Sequence, residues 1–124
     1  MGKVKGSRAE RELVQMFCEA KWGAIRAAGS GVSRFPCPDV LASNGQKVLA
    51  VECKSTKKPR QYFVREQIAQ LHEFAQRFGA VPLLAVRFGS SWCFFKIGDL
   101  EQTQNGNFVA GLRKRSMSFS EILA

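Results

Sequence analysis

The feature that most constrains this chain is Asn44-Gly45, set between two apolar runs. Asn-Gly supplies the positive backbone angles of a two-residue turn, so the flanking runs read as antiparallel strands. The spacing predicts one strand over Asp39–Ala42 and another over Lys47–Lys54. In Val48-Leu49-Ala50-Val51-Glu52-Cys53-Lys54, successive side chains point to opposite faces. Leu49, Val51 and Cys53 then face a core, and Glu52 and Lys54 share the other side. Closing the hairpin on Asn44-Gly45 pairs Ser43 with Gln46 and Asp39 with Ala50. Asp39 thereby joins the face of Glu52 and Lys54, with Glu52 its diagonal neighbour at roughly 7–8 Å.

Two carboxylates at that spacing repel each other unless something positive lies between them. Mg²⁺ fits, because it prefers one or two carboxylates, several waters and a phosphate oxygen. Such an ion polarises a phosphodiester and acidifies water. Lys54 is placed to orient that water or to stabilise charge on the phosphate. Asp39, Glu52 and Lys54, with the Cys53 carbonyl as an extra ligand, therefore supply the parts for metal-dependent phosphodiester hydrolysis. The bland alternative is an Asp at a strand start beside an exposed Glu/Lys ion pair. Charge favours the chemical reading. The chain carries 19 Lys/Arg against 10 Asp/Glu, net +9. A small basic domain points to nucleic acid ahead of an acidic membrane or protein. The excess is concentrated in residues 1–60, with twelve basic against five acidic side chains.

The remaining pattern surrounds this hairpin with helices. Ser7–Trp22 reads as a helix with Ala9, Leu13, Met16, Phe17 and Ala20 on one side, capped by Ser7 with Glu10 as its capping-box partner and ended by Gly23. Ala24–Ala27 reads as a short strand, and Gly29–Arg34 as a flexible loop. Val64–Phe78 is a second helix closed by Gly79. Pro82–Phe88 and Trp92–Ile97 are further strands, Phe108–Leu112 an edge strand, and a short helix begins at Ser118. That order implies an α/β domain, residues 1–124, with a central mixed sheet flanked by helices. A chain of 124 residues buries roughly 65–70% of its unfolded surface without staples. Cys18, Cys37, Cys53 and Cys93 form no CxxC pair and read as reduced thiols with no zinc site. No run of about 18 apolar residues exists, and the basic start precedes no apolar stretch. No membrane span or signal peptide is expected, and the expected location is cytoplasmic.

The combination becomes specific when its parts are set in order. Ala9-Glu10-Arg11-Glu12-Leu13, Arg26-Ala27-Ala28-Gly29-Ser30, Pro38-Asp39-Val40, Val51-Glu52-Cys53-Lys54 and Phe74-Ala75-Gln76-Arg77-Phe78-Gly79 resemble the archaeal Holliday junction resolvase (Hjc) family. That family lies among the restriction-endonuclease-like nucleases, and the match covers about residues 3–97. The resemblance implies a restriction-endonuclease-like fold and a homodimer. It also implies an Mg²⁺-dependent enzyme, with Mn²⁺ able to substitute, acting in DNA recombination and repair. Such an enzyme nicks two strands of a four-way DNA junction symmetrically near the branch point, leaving 5′-phosphates. The family's catalytic acids map onto Glu10, Asp39 and Glu52, its lysine onto Lys54 and its loop serine onto Ser30. The stretch between Ser30 and Asp39 departs from the family in being longer and carrying Phe35-Pro36-Cys37-Pro38. Replication or recombination proteins are possible further partners.

Several residues have two readings. Glu10 is a capping-box glutamate by its spacing and a metal ligand by the resemblance. Arg11 binds a phosphate or pairs with an acid. Lys3, Lys5 and Arg8 form a basic arm, and Arg26, Arg34, Lys57, Lys58 and Arg60 crowd the loops nearest the site. Together they read as a DNA surface that follows shape and backbone, since no base-reading element is evident. Leu71, Phe74 and Phe78 are ordinary core by their spacing and a dimer interface by the resemblance. Tyr62 and Phe63 read as packing at the start of the second helix, and His72 as a surface residue. Two rivals remain. One is a nuclease of the same fold acting on duplex or flapped DNA. The other is a non-catalytic architectural junction-binding dimer.

Overall fold

The computed structural model describes residues 2–27 and 35–124, with side chains from Arg8 onward. Ser30 and Arg34, the loop residues singled out above, lie outside the described residues, as do the side chains of Lys3 and Lys5. The first helix, α1, spans Gly2–Glu19 and therefore runs through Ser7. Ser7 is not its cap, and the capping-box reading of Glu10 is withdrawn. The helix ends earlier than Gly23. Lys21 takes the left-handed conformation (φ 70°), Lys21 N donates to Cys18 O, and Trp22 N donates to Phe17 O. This is a Schellman ending with lysine in glycine's usual place. The Trp22 ring packs on Phe17, with centroids 5.7 Å apart, and that apolar contact completes the motif.

Five strands form the main sheet: β1 (Gly23–Arg26), β2 (Val40–Ser43), β3 (Val48–Thr56), β5 (Val81–Phe88) and β6 (Ser91–Phe95), in the spatial order β1-β2-β3-β5-β6. Between β3 and β5 the chain makes β4 (Arg60–Phe63) and α2 (Arg65–Phe78). That crossover lets β3 and β5 run parallel, while the other pairings are antiparallel. The sheet is mixed and flanked by helices, as expected. Gly79 closes α2 with a left-handed backbone (φ 77°). The chain continues into β7 (Glu101–Gln102), β8 (Phe108–Gly111) and α3 (Phe119–Leu123). Ser118 and Glu121 cap α3 reciprocally, as their spacing predicts.

Strand β8 is not an edge strand. It is the middle of a second sheet, β4-β8-β7. The Arg60–Phe63 segment supplies the partner that the sequence reading treated as loop and packing residues.

Two apolar cores follow from the alternation of β3. Leu49, Val51 and Cys53 pack under α1 with Leu13, Phe17 and Phe94. Ala50 packs toward α2 with Phe63, Ile68, Leu71, Leu84 and Phe95. Leu71 is only 4% exposed and belongs to this second core, so its assignment to a dimer interface is corrected.

Candidate active site

The β2–β3 hairpin presents the central acids, in a register that differs from expectation by two residues. Val40 pairs with Val51, Leu41 with Ala50 and Ser43 with Val48. The paired register ends at Val40 and Val51. Asp39 N turns to the same Val51 O at 3.0 Å, so Asp39 steps out of the ladder as a bulged residue does. The cause of the shift lies in the turn. The Asn44 side chain accepts from the Gln46 and Lys47 N–H groups, at 2.9 and 2.7 Å. Asn44 N in turn donates to Lys47 O at 3.2 Å. Asn44 and Lys47 therefore close the loop, with Gly45 (φ 93°) and Gln46 at its tip. A shift of two preserves the face of every paired side chain, and Asp39, beyond the ladder, still lies near enough for its charge to raise the Glu52 carboxyl.

Asp39 is fixed by three bonds, two to β3 and one to Ala27 just past the end of β1. Its N–H donates to Val51 O (3.0 Å), its carbonyl accepts from Ala27 N (2.9 Å), and its Oδ2 accepts from Cys53 N (2.9 Å). Its carboxyl lies close enough to that of Glu52 for the two to interact electrostatically. Burial, followed by the neighbouring Asp39 charge, pushes the Glu52 carboxyl up to about 8. Asp39 is also raised, chiefly by burial, against the lowering effect of the Cys53 N–H. Lys54 lowers both carboxyls without cancelling either rise. The site thus holds more negative charge than it can stabilise alone. Burial likewise raises the Cys53 thiol, so Cys53 offers its backbone here, not a thiolate.

Glu10 approaches from α1. Its Oε1 accepts from Arg26 Nε at 2.8 Å, a half-buried ion pair between α1 and β1. Its charge also raises both Asp39 and Glu52. The structure therefore brings Glu10, Arg26, Asp39, Glu52 and Lys54 to one end of the sheet. Arg8 and Arg11 are exposed on α1, and Lys57, Lys58 and Arg60 are exposed beyond β3.

The donor set suits a hard divalent cation. Asp39, Glu52 and the Cys53 carbonyl offer oxygen only, and the two carboxyls lack a full counter-charge. Among the described residues no three His, Cys, Asp or Glu side chains form a metal-holding group. A site of this kind leaves places for water and phosphate oxygens.

One brace has no local sequence signal. Glu12 Oε2 accepts from Trp92 Nε1 (2.7 Å) and Arg87 Nε (3.3 Å), tying α1 to β5 and β6. Its members stand 75 and 80 residues apart, beyond the reach of spacing arguments. Phe78 (54% exposed) and Ile25 (61% exposed) border a shallow apolar cleft of about 370 Å³ with Leu41 and Val48. Phe74 stacks on Phe78 with centroids 5.1 Å apart.

A model of the family described as archaeal Holliday junction resolvase (Hjc) matches residues 1–124. A crossover junction endodeoxyribonuclease Hjc from Archaeoglobus fulgidus is 44% identical over 103 residues, covering 82% of this chain and 76% of that protein. The protein of the same name from Sulfolobus acidocaldarius is 33% identical over 125 residues, covering 98% and 87%. Among solved structures, Archaeoglobus fulgidus Hjc, described as a Holliday junction resolvase, superposes with a TM-score of 0.87 at 38% identity. That match covers 94% of this chain and 96% of the other.

Proposed function

The chain belongs to the archaeal Holliday junction resolvase (Hjc) family, and from that premise we propose a structure-selective endonuclease that resolves four-way DNA junctions. It would place paired nicks symmetrically near the branch point and leave 5′-phosphates. The observation that carries this reading is the half-buried Asp39–Glu52 pair with Lys54 two residues beyond Glu52, on a chain that exposes Arg8, Arg11, Lys57, Lys58 and Arg60. An architectural protein gains nothing from carboxyls held beside phosphates, so the acids favour catalysis over mere binding.

Asp39, Glu52 and the Cys53 carbonyl would hold a divalent cation, Mg²⁺ by the hardness of the donors, with Mn²⁺ as a substitute. When bound, that ion supplies polarisation of the phosphodiester and acidification of water. The Cys53 N–H fixes the Asp39 carboxylate in one orientation. Lys54 orients the attacking water and balances charge at the phosphate. Arg26 holds Glu10 toward the acids, which suits Glu10 to bonding water at the edge of the site. Ser30 would act on the phosphate from the preceding loop. Arg8, Arg11, Lys57, Lys58 and Arg60 would bind backbone phosphates, with Lys3, Lys5 and Arg34 adding to the same surface.

Phe78 and Phe74, with Ile25, form the apolar surface proposed to meet a second copy across a two-fold axis. A dimer matches the symmetry of a junction that needs two cuts.

The test is cleavage of an end-labelled four-way junction beside a linear duplex of one arm's sequence, with Mg²⁺ and with EDTA. Paired nicks only in the junction and only with metal support the proposal. Equal cutting of both substrates indicates a general nuclease, and tight binding without cutting indicates an architectural protein.

A further inference from the structure

One corner of the molecule gathers more positive charge than the reading above uses. Leu112 N donates to Pro59 O at 2.9 Å, and Arg60 sits opposite Gly111 in the β4–β8 ladder. The β3–β4 loop and the turn after β8 are thereby held side by side. Lys57, Lys58 and Arg60 stand alongside Arg113, Lys114 and Arg115, and all six are exposed.

Among the described residues, no carboxylate neutralises this cluster. Arg26, Arg65, Arg77 and Arg87 each form an ion pair, whereas none of these six does among the described residues. Asp99 and Glu101 line the cleft beside Lys114 and Arg115, which still leaves the corner net cationic.

The turn itself is unusual. Arg113 and Arg115 both adopt left-handed backbone, with φ of 62° and 55°. That conformation crowds the Cβ of any residue but glycine. Gly111 lacks a side chain where one is needed least, because a Cβ there would approach Lys114 Cδ to 3.2 Å. The lysine stem thus packs onto the strand. A turn that accepts crowding in order to display cations points to an anionic ligand.

Pro59 is five residues beyond Lys54, so the corner lies within about 17 Å of the site along the chain. That span is roughly five base pairs of duplex.

We propose that the Arg113–Lys114–Arg115 turn, with Lys57, Lys58 and Arg60, grips the phosphate backbone of a junction arm within about half a helical turn of the cut. The identity of the ligand rests on the resolvase reading. The test uses Arg113→Gly with Arg115→Gly, which removes two charges and relieves the backbone, so thermal melting should show no loss of stability. Binding to a labelled four-way junction is followed over a salt series in EDTA. Each lost phosphate contact takes about 0.9 from the slope of log K against log salt. The slope should therefore fall by about 1–2, while Arg113→Lys with Arg115→Lys retains it.

An unchanged slope in the folded glycine variant overturns the proposal. So does an equal loss in the lysine variant, since that ties the effect to the shape of the turn rather than its charge. Should the glycine pair melt early, Lys114→Ser at an ordinary backbone angle reads the same quantity, with a fall of about one expected and no change refuting the proposal. Cleavage by the parent protein is run in parallel with Mg²⁺. A parent that binds but does not cut junctions refutes the resolvase reading and leaves the slope comparison intact.

Discussion

At Glu52 the folded state holds a proton that the unfolded chain releases. The carboxyl titrates near 8 when folded against an ordinary value of 4.5, because it is buried beside Asp39. Between those values the unfolded chain binds fewer protons, so metal-free folding weakens as pH rises from about 4.5 to 8. In EDTA the melting temperature should fall by about 5–10 °C across that window, and Glu52→Gln should flatten the profile. A flat profile in the parent protein would mean that cations nearby already hold the pair ionised. The same proton must leave before a cation can bind, so metal affinity should strengthen with pH over that window, as calorimetry would register. Asp39→Asn removes a proposed ligand that bonds to Val51, Cys53 and Ala27 hold in place. Cleavage should fall at least about 10³-fold while junction binding persists, and normal turnover by that variant would exclude Asp39 from the mechanism.

The two sides of α2 make opposite predictions. Leu71 lies in the core between α2 and the sheet. Leu71→Ala should cost about 2–5 kcal/mol in denaturant unfolding. Phe78 lies outside that core, so Phe78→Ala should leave the melting temperature nearly unchanged and weaken self-association in analytical ultracentrifugation. An unchanged dimer would return Phe78 to a purely local role with Phe74. The helical spacing of Leu71, Phe74 and Phe78 marked all three as apolar but could not say which side of α2 meets the sheet, since that depends on where the crossover returns. The hairpin shows a similar limit. Alternation put Glu52 and Lys54 on one face, because parity survives a slip of two, whereas the place of Asp39 beyond the ladder is set by its bonds to Val51, Ala27 and Cys53. The register itself depended on Asn44 using its side chain as an acceptor, a choice that the dipeptide does not reveal. Strand β4 escaped notice because four residues after Pro59 carry too little pattern, and its partner is almost fifty residues away. Glu10 was legible as an acid near the site only through resemblance. Its partner Arg26 is sixteen residues distant and on another element.

For the whole molecule, the proposed dimer makes two sites act on one substrate. Mixing the parent protein with Asp39→Asn subunits should form dimers with one working site. On a supercoiled cruciform plasmid such mixtures should yield nicked circles at the expense of linear product. Linear product that falls only in proportion to total active subunits would argue for sites that act without pairing.

The first helix and the last share one core. Ile122 is buried with Leu13 and Phe17, and the Phe119 ring packs edge-on against Phe17 with centroids 5.2 Å apart. Lys47 Nζ reaches from the hairpin turn to the carbonyls of Ile122 and Ala124. During translation, Glu10, Asp39, Glu52 and Lys54 all leave the ribosome long before Phe119 does. A nascent chain broken off shortly before Phe119 would carry every acid of the site yet leave Phe17 without the ring that packs against it. Such a fragment has an incomplete core, so proteases should remove it faster than the whole chain, before it acts as a stray DNA-cutting enzyme.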